Sequence, residues 1–193
     1  RQSKADVVNN SFGFTGQITD YPKETFESNF PKFINSLEEN KETIFVWSAG
    51  NYNGITDTNG EKVDAADPGW LSGLSYYFPE LADNNIAVVA VDREGTIADW
   101  SNRCGVVKDT CIAAPGSKIN VAIPNNLYNS LTERERNGLN EDVLEYLKNH
   151  PTEAYLLASG TSFAAPHVTG ALAVLKGVFK DNLSSKEIVD RIY

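Results

Sequence analysis

The sequence has 193 residues, 41% hydrophobic and 22% charged, with two Cys and no Met. That is enough chain to bury a sizeable core, and too apolar for disorder. Lys plus Arg number 17 and Asp plus Glu 26, a net charge of −9; nucleic acids and anionic membranes require a basic surface, so such a chain is a poor candidate for binding either, and no nucleic-acid partner is expected.

The chain opens on Arg1-Gln2-Ser3-Lys4 and runs at once into an apolar segment, which reads as an excised piece of a longer protein. Residues 6–11 read as a short buried strand closed by the polar turn Ser11-Phe12-Gly13. Over residues 24–41, Phe26, Phe30, Phe33, Ile34 and Leu37 fall on one helical face, with Pro31 interrupting the middle. Residues 43–47 are β-branched and aromatic and predict a strand that ends at Ser48-Ala49-Gly50-Asn51. Residues 52–83 carry many Gly, Asp and Asn and read as loop. Residues 86–91 are continuously apolar, as in a strand buried on both faces of a parallel sheet. Residues 111–116 read as a short strand closed by a turn.

Residues 133–150 are highly charged and helical in their second part, with Val143, Leu144 and Leu147 on one side. Residues 161–180 predict a helix whose apolar positions are Val168, Ala171, Leu172, Leu175 and Val178. A last short helix lies within 182–193, capped by Ser184 or Ser185, with Glu187 placed for a capping box on Ser184. Strands alternating with helices predict an α/β fold, and the 193 residues read as a single unit. No apolar run approaches the ~20 residues that span a bilayer, so no membrane segment is expected.

Cys104 and Cys111 bracket a six-residue loop. Two thiols are too few for a structural zinc site. They read as a disulfide, which implies an extracytoplasmic compartment, the alternative being two reduced thiols.

The stretch that carries chemistry is Ser159-Gly160-Thr161-Ser162-Phe163-Ala164-Ala165-Pro166-His167-Val168-Thr169-Gly170-Ala171. It places Ser162 at a helix N-terminus, where free N–H groups and the helix dipole favour negative charge. That suits a hydroxyl whose attack on a carbonyl generates an oxyanion. A Ser before a helix is by itself usually only an N-cap, and an Asn after Gly only a turn residue. The full string, however, resembles the serine motif of the subtilisin-like proteases (subtilases), in which Gly-Thr-Ser leads into Pro-His-Val and a helix of small residues. Val46-Trp47-Ser48-Ala49-Gly50-Asn51 resembles the family's strand ending in Ala-Gly-Asn, and Val7-Val8-Asn9-Asn10-Ser11-Phe12-Gly13 its cleft-wall segment. Residues 86–91, Ala98-Asp99-Trp100-Ser101-Asn102 and Ala114-Pro115-Gly116 follow in the family's order. Pro79-Glu80-Leu81 and the Cys pair most resemble the bacterial autotransporter branch.

The resemblance implies a serine endopeptidase with a three-layer, mostly parallel α/β fold, present here only in part. It makes Ser162 the nucleophile and Asn51 the oxyanion donor. Ser11, Phe12 and Gly13 would flank the primary specificity pocket and Ala49 and Gly50 line its floor, with a protein or peptide as substrate. The family's early Asp-Ser/Thr-Gly and His-Gly-Thr strings do not occur in this sequence. His167 belongs to Pro-His-Val, which is structural in this family, and at i+5 it is not placed to take a proton from Ser162. The expectation is therefore a chain inert by itself, which lacks the N-terminal part of its own domain and is prone to self-association, the alternative being a subtilase relic without a triad that grips extended peptides as a binding or scaffold module. Calcium is common in the family, but no acidic cluster here has trustworthy ligand spacing, so no cofactor is expected. Residues 117–157 are longer than the family pattern requires and read as carrying an insertion.

Overall fold

Successive residues of the second strand face opposite ways, and that alternation builds two cores. In a computed structural model, which describes residues 5–179 and 182–193, four strands form one parallel sheet in the order β1-β2-β3-β4: β1 Val7–Asn10, β2 Ile44–Ser48, β3 Asn85–Val91 and β4 Cys111–Pro115. Ile44 and Val46 of β2, with Ile86, Val88 and Ala90 of β3, face one side. There they pack with Ala164, Ala165, Val168 and Leu172, and with Ile188 and Val189. Phe45 and Trp47 face the other side, against Phe26, Ile34, Leu37 and Leu81. The Trp47 indole N–H is kept from being a buried orphan by Asn85 Oδ1, 2.9 Å away.

The helices follow from local chemistry. The apolar face over residues 24–41 is split in two, α1 Lys23–Asn29 and α2 Pro31–Glu39, with Phe30 between them. Pro31 has no N–H to continue the first helix, and its fixed φ suits the first turn of the second. Helix α6, Thr161–Phe179, lies over the sheet and buries Ala164, Ala165, Val168, Leu172 and Lys176. Ala171 and Val178, expected on its apolar stripe, are instead exposed. The helix is apolar nearly all round, so periodicity alone could not say which face is covered. At 19 residues and mean hydropathy 1.2 it is long and apolar enough to cross a membrane, although its buried stripe packs on the sheet. The closing helix α7, Ser185–Val189, has Ser184 as N-cap in a reciprocal capping box with Glu187.

The chain divides into two compact units, Arg1–Ser117 with Ser159–Tyr193, and Lys118–Ala158. Within the second, β5 Ile119–Ala122 pairs antiparallel with β6 Tyr155–Ala158, from Ile119↔Ala158 to Ala122↔Tyr155. Between them run α3 Leu127–Ser130, α4 Glu133–Asn137 and α5 Glu141–Asn149. Thr132 and Glu135 form a capping box at α4, Asn140 caps α5, and Leu147 is buried. Of these elements the sequence predicted α5, the second part of the charged stretch, and neither of the strands. Cys104 and Cys111 are disulfide-bonded across the 3₁₀ segment Gly105–Thr110 that leads into β4.

Candidate active site

The parallel register aligns Asn10 with Trp47, so β1 and β2 deliver their following residues to the same edge of the sheet. This is the carboxyl end of the strands, where open α/β sheets bind ligands. Beyond β2 the chain turns through Gly50, at φ +116°. A side chain there would be strained, and its Cβ would lie 2.9 Å from Asn102 Oδ1. Asn102, fully buried, clamps the turn: its N–H donates to Gly50 O at 3.0 Å and its Oδ1 accepts from Tyr52 N–H at 2.9 Å. Asn102 Nδ2 donates to Asp67 O at 2.9 Å, tying the turn to the loop that follows.

The turn presents Asn51 to the start of α6. Asn51 Oδ1 accepts from the N–H and from the hydroxyl of Thr161, each at 2.9 Å. Thr161 Oγ1 in turn accepts from Gly50 N–H at 3.1 Å. With the oxygen of the amide fixed, its Nδ2 is turned the other way and donates to no described residue. Ser162 is the second residue of α6, half-buried, among the first-turn N–H groups that have no intrahelical acceptor. The two groups share a cleft of about 180 Å³. Phe12, Gly13 and Phe14 form one part of its lining, Ser48 to Tyr52 another, and Gly69 to Ser72 a third.

Of the residues the sequence singled out, Phe12, Gly13, Ala49, Gly50, Asn51 and Ser162 therefore line one cleft. Ser11 is not on its lining; its hydroxyl donates to the Ser162 carbonyl oxygen at 2.8 Å. Thr161, Asn102, Phe14, Gly69, Trp70 and Ser72 were not singled out. Thr161 lay inside the serine motif and could have been found, whereas Gly69, Trp70 and Ser72 sit in an aperiodic loop that offers no such signal. His167 Nδ1 lies 2.8 Å from Phe163 O, and His150 Nδ1 lies 2.9 Å from Tyr146 O. Neither imidazole hydrogen-bonds Ser162 Oγ. Among the described residues no three His, Cys, Asp or Glu are grouped to hold a metal.

The chain is 34% identical over 164 residues to serotype-specific antigen 1 of Mannheimia haemolytica, covering 83% of this chain and 15% of that protein. It is 33% identical over 135 residues to an extracellular serine protease of Serratia marcescens, covering 68% of this chain and 11% of that protein. Among solved structures, the prenylagaramide maturation protease PagA superposes with TM-score 0.56 at 22% identity, over 96% of this chain and 50% of that one. The chain thus spans a small part of these curated relatives and half of that solved one. The family model described as the Subtilase family matches residues 1–192, and the chain belongs to that family.

Proposed function

We propose that this chain carries the nucleophile and the oxyanion donor of an extracytoplasmic serine endopeptidase. The observation behind this reading is the Asn51 amide, whose oxygen is held by Thr161 and whose N–H donates to no described residue, on the cleft that Ser162 also lines. In the reaction, Ser162 Oγ attacks the scissile carbonyl carbon and loses its proton to an imidazole. The oxyanion takes hydrogen bonds from Asn51 Nδ2 and the Ser162 N–H. The C–N bond then breaks, the amine leaves with that proton, and water hydrolyses the acyl-enzyme. The imidazole and the carboxylate that orients it are assigned to the N-terminal part of the domain, outside these 193 residues. The chain alone has no general base for Ser162 and is inert. The reaction asks for no metal.

The substrate is an extended peptide laid along Phe12–Phe14, where main-chain pairing and the cleft side chains fix its register. An extracytoplasmic location is supported by the disulfide and by the name of the Serratia marcescens relative. The test is hydrolysis of a mixed peptide library by the full-length protein. Cleavage that disappears in Ser162→Ala is expected. Cleavage that persists in Ser162→Ala refutes the assignment, and a folded protein that binds peptides without cutting them would be a scaffold.

A further inference from the structure

In an α-helix each carbonyl accepts from the N–H four residues further on. For Ser162 that residue is Pro166, which lies inside α6. Proline has no N–H to offer, and its ring crowds the carbonyl of residue i−4. The proline therefore leaves without its helical donor the carbonyl of the very residue assigned as nucleophile. The donor comes instead from β1's end: Ser11 Oγ, 151 residues away in sequence, donates to Ser162 O at 2.8 Å. Ser11 is itself held, because Asn9 Nδ2 donates to Ser11 Oγ at 2.9 Å. Asn9 Oδ1 lies 3.1 Å from Thr169 Oγ1, further along α6. The strand end and the helix are thus stitched together on either side of the proline.

We propose that Ser11 is a positioning residue for the nucleophile. Its hydroxyl replaces the N–H that Pro166 lacks, and so fixes the Ser162 peptide unit and the direction of its Oγ relative to Asn51. This rests on the reading of Ser162 as nucleophile, and it separates Ser11 from Phe12 and Gly13, which line the cleft while Ser11 does not.

The test uses the full-length protein with a fluorophosphonate probe and a peptide substrate, in the wild type, Ser11→Ala, Pro166→Ala and the double variant. Ser11→Ala is expected to slow labelling of Ser162 and kcat by about tenfold, the scale of one neutral hydrogen bond, with KM unchanged. In the Pro166→Ala background, where the helix supplies its own donor, the same substitution is expected to cost less than about twofold. Ser11→Thr keeps the rate and the isosteric Ser11→Val loses it, a comparison that stands even if Pro166→Ala is itself inactive. The same coupling shows in urea midpoints, where Ser11→Ala destabilises less once Pro166 is replaced. A raised KM with unchanged kcat makes Ser11 a substrate contact and overturns the proposal. An equal loss in both backgrounds, or no loss, does so too. A wild type that labels normally beside Ser11 variants that defy these patterns overturns this inference alone. A wild type that never labels removes the nucleophile itself.

Discussion

The Asn51 amide has its oxygen tied to Thr161, while its N–H donates to no described residue and is proposed as the oxyanion donor. Replacing it with Ala removes the N–H and loosens Thr161 together. Asn51→Ala is expected to lower kcat by about a hundredfold or more with KM little changed, the scale of losing one oxyanion donor. Steady-state kinetics on the full-length protein check this, and a change confined to KM would count against the role. Asn51 and Ser162 were singled out because each sits in a short string that resembles a family motif, and the fold brings both to one cleft. Thr161 lay inside the serine motif but its task, 110 residues away on Asn51, was not visible there, and neither was that of Asn102, 50 residues away on the N–H of Tyr52. Nor did the sequence distinguish Ser11 from its neighbours; only its hydrogen bond does.

Helix ends were read best where side chain and backbone meet within three residues. The Ser184 and Glu187 box was visible in the sequence and is present in the structure. Ser184→Ala is expected to destabilise the fold by about 1 kcal/mol, read from a urea melt. Hydrogen bonds from the backbone and then the hydroxyl of Ser184 hold the Glu187 carboxyl below its ordinary value of 4.5. Because the folded form has the lower pKa, this contribution is present above pH 4.5 and fades as the pH falls through the folded value. The Ser184→Ala penalty should therefore shrink in acid, and a penalty independent of pH would contradict the box. Strands β1 to β4 were legible as apolar runs, whereas β5 and β6 were not. They have four residues each, are only half-covered, and are separated by the charged helices that dominated the reading.

At the scale of the whole molecule, α6 shows what the chain's own residues leave uncovered. Pro166, His167, Gly170, Ala171, Val174, Gly177 and Val178 are exposed along one side, with Val174 at 66% and Val178 at 63%. Strand β1 is an edge of its sheet, and such edges invite pairing with another chain. The 193-residue chain on its own is therefore expected to self-associate in sedimentation velocity, and less so as Val174→Lys. A single sharp monomer boundary would contradict this. The α/β class was legible from the alternation of strands and helices alone.

The central claim is that Ser162 is a nucleophile when the rest of the domain is present. The most direct measurement is reaction of the full-length protein with a fluorophosphonate, followed by mapping of the modified residue by mass spectrometry. Modification at Ser162, absent in Ser162→Ala and absent in the isolated 193-residue chain, is the predicted result. A folded full-length protein with Ser162 unmodified would contradict the account and leave the cleft as a groove that binds peptides without cutting them.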